Sequence, residues 1–167
     1  CQLSGTIPES LWGLSNLEYL NLGINQLTGS LPTSIGQLTK LKSFEISNNQ
    51  ITGNIPSEIF TLSGLTYLNI NYNSFTAAPM PDFSVLDSLQ SLQIAGCNFT
   101  GIIPSSLLQM SNLQILDISN NPFNAAPMPD FTMLSNLNAL EAANCNFTGS
   151  IPESLMQMNT LTFLRLD

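Results

Sequence analysis

The sequence contains no histidine, which removes the side chain most often used as general base, as metal ligand and as activator of a serine or cysteine nucleophile. Its three cysteines, Cys1, Cys97 and Cys145, fall in none of the spacings that build a zinc site. Asp117 and Glu141 could be paired as the two carboxylates of a glycosidase, but that chemistry needs a pocket that raises one of the two pKa values. Asn98-Phe99-Thr100 and Asn146-Phe147-Thr148 are acceptor sequences for N-linked glycans. No catalytic residues, metal or cofactor are expected, and the chemistry on offer is that of a binding surface.

The elements that must position such a surface follow from a strict internal period. The pattern Leu-x-x-Leu-x-x-Leu/Phe-x-Leu/Ile begins at Leu14, Leu38, Leu62, Leu86 and Leu134, with Met110 and Met158 in the same register, and every step is 24 residues. One array therefore occupies 1–167, with six complete units over 14–157 and partial units at 1–13 and 158–167. Both ends fall inside a unit, so this stretch is expected to lack end caps. Within a unit, Leu17-Glu18-Tyr19-Leu20-Asn21-Leu22 alternates apolar with polar, the period of a half-buried strand. Such a strand cannot bury its face alone. Stacking equivalent strands at about 4.8 Å predicts a parallel sheet on the inside of a curved solenoid.

After each strand stands an Asn, at Asn25, Asn49, Asn73 and Asn121, where a buried amide can satisfy peptide groups of the inward turn. Cys1, Cys97 and Cys145 take the same ladder position in the other units. Cysteines two coils apart should lie about 10 Å from one another, beyond disulfide reach, so free buried thiols are expected. The units continue as Leu27-Thr28-Gly29-Ser30-Leu31-Pro32, Ile51-Thr52-Gly53-Asn54-Ile55-Pro56, Phe99-Thr100-Gly101-Ile102-Ile103-Pro104 and Phe147-Thr148-Gly149-Ser150-Ile151-Pro152.

With these segments the chain resembles the plant-type leucine-rich repeats, whose mark is L-x-G-x-I-P after the ladder Asn. The resemblance covers essentially the whole chain. It implies an α/β solenoid: a leucine-rich-repeat superhelix with a parallel concave β-sheet, a second short flank sheet, and 3₁₀ or short helical turns on the convex side.

A second period of 48 residues overlies the first. Phe75-Thr76-Ala77-Ala78-Pro79-Met80-Pro81-Asp82-Phe83 recurs as Phe123-Asn124-Ala125-Ala126-Pro127-Met128-Pro129-Asp130-Phe131. Two unit types thus alternate, and this wording is similar to the extracellular arrays of plant receptor-like kinases and receptor-like proteins. The resemblance implies recognition of a protein or peptide ligand, or of a cell-wall polysaccharide fragment, by an extracellular or secreted chain.

Two outward columns follow from the strand register. One reads Asn21, Glu45, Asn69, Gln93, Asp117, Glu141 and Arg165; the other reads Tyr19, Ser43, Tyr67, Ser91, Ile115, Ala139 and Phe163, with Ile24 and Tyr72 beside it. Tyrosines flanked by carboxylates suit a ligand with basic groups. The candidate binding residues are accordingly Tyr19, Tyr67, Tyr72, Glu45, Asp117, Glu141, Phe163 and Arg165. Asn98 and Asn146, lying between inward positions, should face solvent and be open to glycosylation.

Eleven acids against Lys40, Lys42 and Arg165 give a net charge of −8, which repels nucleic acid. A secreted structural, adhesive or fibre-forming protein is a rival reading, since uncapped solenoid ends can pair edge to edge. An inhibitor of wall-degrading enzymes is another. The column Thr28, Thr52, Thr76, Thr100 and Thr148, interrupted by Asn124, resembles the threonine faces of ice-binding proteins.

Overall fold

The computed structural model describes residues 2–167; the ladder position assigned to Cys1 lies outside the described residues. Seven three-residue strands, Tyr19–Asn21, Ser43–Glu45, Tyr67–Asn69, Ser91–Gln93, Ile115–Asp117, Ala139–Glu141 and Phe163–Arg165, form one sheet with its strands in chain order. Every pairing is parallel, and Leu20, Phe44, Leu68, Leu92, Leu116, Leu140 and Leu164 stand side by side in register. The backbone ladder outruns the strands at both ends. Lys42 N–H donates to the Glu18 carbonyl at 2.8 Å, and Ile24 N–H to the Ser47 carbonyl at 2.8 Å.

The central residue of every strand but the last, whose Leu164 is 40% exposed, points into a continuous core that includes Trp12, Phe44, Phe75, Phe83 and Phe131, all essentially without solvent contact. Phe60 and Phe83 meet edge to face at 5.4 Å, the arrangement that the ring quadrupole favours. The core needs stacked coils, because no single unit closes around its own apolar side chains.

The convex side depends on unit type. Pro8, Pro32, Pro56 and Pro152 each precede a five-residue 3₁₀ turn, and Pro104 precedes the single α-turn Ser105–Leu108. Proline fits there because its fixed φ suits the entry and its missing N–H has no partner to lose. The Ala-type units make no helical turn: the Asp82 carboxylate accepts the Ser84 N–H at 2.9 Å, and Asp130 accepts the Thr132 N–H at 3.0 Å. These aspartates supply locally the bond that a helical turn supplies elsewhere.

The flank sheet is not continuous. It consists of four separate two-stranded pieces, Ser4–Thr6 with Gln26–Thr28, Thr52–Gly53 with Ser74–Phe75, Ala78–Pro79 with Phe99–Thr100, and Ala126–Pro127 with Phe147–Thr148. The prolines supply no N–H to a ladder, and the inserted residue of the Ala-type units shifts the pairing by one place.

The threonine column falls out of line because flank strands do not pair at the 24-residue step of the repeat: Thr6 faces Thr28 and Thr52 faces Ser74, 22 places on, and the Ala-Pro strands shift this by one more. Thr52 lies beside Ser30 and Ser74, Thr100 beside Pro79 and Thr148 beside Pro127, so no two of the column's threonines are paired neighbours.

Candidate ligand-binding face

The ladder holds this face in place. Asn121 accepts the N–H groups of Cys97 and Phe99 at 3.2 and 2.9 Å, and its amide donates to the carbonyls of Ile94, Ile118 and Ser119. Asn49 and Asn73 make four bonds each in the same style, and Asn25 makes three. Cys97 and Cys145 are free and buried, and each thiol donates to carbonyls of its own and the preceding coil. Burial pushes both thiols up, Cys145 to about 11.

A thiol cannot supply the acceptor that Asn offers to the coil before it. The next residue instead ties the two coils with a donor: Asn98 donates its side-chain amide to the Phe75 carbonyl at 2.8 Å, and Asn146 to the Phe123 carbonyl at 3.1 Å. Both adopt left-handed φ of 59° and 57°, a region that asparagine tolerates better than most residues. Both are also exposed. A glycosylated amide keeps one N–H, so a glycan and this bond are chemically compatible.

On the concave face one column is largely committed to its own backbone. Asn21, Glu45, Asn69 and Asp117 each accept the N–H two residues on, from Gly23, Ser47, Asn71 and Ser119 at 2.9–3.1 Å. Asp117 departs from the expectation of a solvent-facing acid: it is only 8% exposed, and the Asn71 amide donates to its second oxygen at 3.3 Å. Buried carboxylates persist where such N–H groups meet them.

Glu45 accepts the Tyr67 hydroxyl at 2.9 Å, and Asn69 and Gln93 donate to the same hydroxyl from the other side. Burial, opposed by the Asn69 amide and reinforced by Glu45, holds the phenol above its ordinary pKa. Burial likewise raises Glu141, with Asp117 adding to it, while Arg165, 3.9 Å away and also bound to Asp167 at 2.7 Å, opposes this.

What remains open includes large apolar side chains beside exposed asparagines. Tyr19 is 67% exposed and Phe163 half exposed. Between the strands and the ladder runs a column at residues 24, 48, 72, 96, 120 and 144, and every member has φ between 52° and 60°. Asn48, Gly96, Asn120 and Asn144 suit that conformation; Ile24 and Tyr72 do not. Yet Ile24 is 75% exposed and Tyr72 48% exposed. Glu45 curls over Gly23 beside Ile24, leaving a shallow hollow between them.

The Tyr72 ring lies on Gly96, where a Cβ would come within 2.8 Å of it. Asn120 donates to the Tyr72 hydroxyl, and Asn144 donates to Asn120. The sequence reading missed Asn120, Asn144 and Gly96. The signal was there in the 24-residue step, as a column rich in Asn and Gly.

The family described as leucine-rich repeat region matches residues 1–121, and single leucine-rich repeats match 112–134 and 136–158. The chain belongs to the leucine-rich repeat family. Among solved structures, this leucine-rich repeat protein is similar to the plant peptide hormone receptor RGFR1 in complex with RGF2, at 33% identity and a TM-score of 0.88 over 99% of the chain. It is similar also to the Arabidopsis receptor kinase HAESA, in complex with the peptide hormone IDA and the co-receptor SERK1, at 31% identity and 0.88 over 99% of the chain. The chain spans only 27% and 28% of those two receptor chains. A plant ice-binding protein matches at 26% identity and 0.80, over 99% of this chain and 53% of its own. No curated protein sequence matches.

Among the described residues of this leucine-rich repeat protein, no group of three His, Cys, Asp or Glu side chains could hold a metal ion. Among the same residues no helix is long and apolar enough to cross a membrane.

Proposed function

We propose that the chain is a non-catalytic, extracellular ligand-recognition segment that binds an extended peptide along its concave face. The observation that carries this reading is the pair Ile24 and Tyr72. Two bulky side chains are held exposed in a backbone conformation that suits glycine and asparagine, within a column where every other residue is one of those two. Strain of this kind persists where function opposes its removal. Tyr19 and Phe163 add exposed aromatic area, and the negative charge of Glu45 and Glu141 orients a basic ligand group. The peptide-bound receptors among the similar structures support the same ligand class.

The test is selection from an immobilised library of random extended peptides, carried out with the chain and with an Ile24→Ser/Tyr72→Ser variant. Enrichment of sequences carrying Lys or Arg next to apolar residues, lost in the variant, is expected. Equal enrichment by both proteins, or none by either, would sink the reading.

The similar ice-binding protein brings a second reading, against which the out-of-line threonines count. Ice recognition requires a regular array, and here Thr52 and Thr100 have Ser and Pro as their paired neighbours. No thermal hysteresis is expected. N-glycans at Asn98 and Asn146 accompany the extracellular reading, and mass spectrometry of native material is the check.

A further inference from the structure

The 48-residue alternation leaves a feature that concave-face binding does not use. Two hollows of about 90 Å³ each open on the flank. Ala78, Pro79, Pro81 and Phe99 line one; Ala126, Pro127, Pro129 and Phe147 line the other. Each residue of the second set stands 48 places after its counterpart, so the two hollows are copies of one site, two coils apart. They exist because the inserted residue of each Ala-type unit displaces its proline-containing strand, and the following coil does not refill the space. A regular unit, in which Gly takes the place of the first Ala, forms the flank without that displacement.

The spacing selects an occupant. Two coils of stacked strands separate equivalent points by about 9.6 Å. A polyproline II helix advances about 3.1 Å per residue with three residues per turn, which returns a side chain to the same face every ~9.3 Å. An apolar side chain or proline ring at positions i and i+3 of such a helix, laid along the solenoid axis, would enter both hollows at once. Aromatic-lined grooves are the usual receptors of this conformation, and each hollow has two phenylalanines in its lining, Phe60 and Phe99 in one and Phe123 and Phe147 in the other.

Charge completes the match. Asp82 and Asp130 are exposed immediately beyond Pro81 and Pro129, and the N–H groups of Ser84 and Thr132 hold both carboxyls below the ordinary range, hence ionised. The chain's cations, Lys40, Lys42 and Arg165, belong to other parts of the solenoid: Lys42 and Arg165 pair with Glu18 and Asp167, and Lys40 donates to Asn16. We infer that this flank is a second binding site, which takes a cationic polyproline II segment through the twin hollows at Ala78–Phe99 and Ala126–Phe147. This site is independent of the concave face and stands or falls without it.

The test is fluorescence anisotropy with the whole chain and a capped, labelled peptide built of Pro-Pro-Lys triplets. Two peptides of matched charge serve as controls: Gly-Ser-Lys triplets, which lack the helix, and Pro-Lys doublets, which keep proline but break the three-residue face. At least tenfold tighter binding of the triplet than of either control is expected. Ala78→Leu and Ala126→Leu, which fill one hollow each, should each weaken binding several-fold, and together at least tenfold. Asp82→Asn with Asp130→Asn should flatten the salt dependence while leaving the preference for triplets.

Equal binding of the flexible control would reduce the site to charge alone and overturn the proposal, as would equal binding of the doublet peptide or no binding at about 1 mM. So would a chain that dimerises in sedimentation and becomes monomeric when the hollows are filled, since the surface would then belong to a second copy. The comparison among peptides uses the unaltered protein and decides the matter even if a leucine variant fails to fold.

Discussion

The hydroxyl of Tyr72 accepts a hydrogen bond at 3.2 Å from the side-chain amide of Asn120, 48 residues and two coils further along the chain. The ring can span the intervening coil only because Gly96 beneath it has no side chain. A methyl group there would meet the ring at 2.8 Å, and Gly96 itself has φ of 60°. Gly96→Ala is therefore expected to destabilise the chain by about 2 kcal/mol, from left-handed strain plus displacement of the ring. Tyr72→Phe should cost about 0.5–1 kcal/mol, because only one part-exposed bond is lost. Thermal melts of the two variants check the order; a milder effect from Gly96→Ala than from Tyr72→Phe would contradict the contact.

Ile24 presents the opposite case, a strained residue with almost no packing to lose. Ile24→Asn should raise stability by about 1 kcal/mol, since asparagine tolerates left-handed φ and the isoleucine is mostly in solvent. For a chain of this size that corresponds to a rise of about 2–4 °C in Tm. The same variant is expected to weaken peptide selection, which separates strain kept for binding from strain kept for folding.

The ladder should be sharply position-dependent. Asn121→Ala removes five hydrogen bonds from a site that is 1% exposed and leaves buried N–H and carbonyl groups unmet. A loss of at least about 3 kcal/mol is expected in denaturant unfolding. Asn25→Ala, at a part-buried position with three bonds, should cost less than half as much.

Cys97 and Cys145 should be inert in the folded chain. Burial raises both thiols, Cys145 to about 11, so little thiolate exists at pH 8 and none is accessible. A chromogenic disulfide reagent should modify these two only as fast as the chain unfolds, and at once in denaturant. Immediate reaction of both in the native protein would show that the ladder is open.

Acid should remove one specific contribution. The Asp82 and Asp130 carboxyls lie below their ordinary value of 3.8 because backbone N–H groups meet the ionised form. A depressed carboxyl contributes stability that is present above the unfolded value and is lost as pH falls through the folded one. The Tm difference between the chain and its Asp82→Asn/Asp130→Asn variant should therefore be constant near neutrality and shrink once pH drops below 3.8.

The period alone determined the solenoid. Leu20, Phe44 and Leu68 had to lie side by side, because a 24-residue step repeated six times admits one stacking that buries the apolar strand faces between coils. Strand register then placed Asn25, Asn49, Asn73 and Asn121 in a row, and set Tyr19 and Tyr67 on the outer face. Spacing could not say which outward side chains reach water, since that depends on what neighbouring coils lay over them. Asp117 reads as an exposed acid in the sequence, but Asn71 and the Ser119 N–H hold it, and the threonine column reads as straight, but the flank strands pair 22 or 21 residues apart rather than 24. The rail from Tyr72 over Gly96 to Asn120, and the twin hollows on the flank, likewise arise from contacts between coils. A repeat in sequence fixes which positions are equivalent; only packing decides what each equivalent position touches.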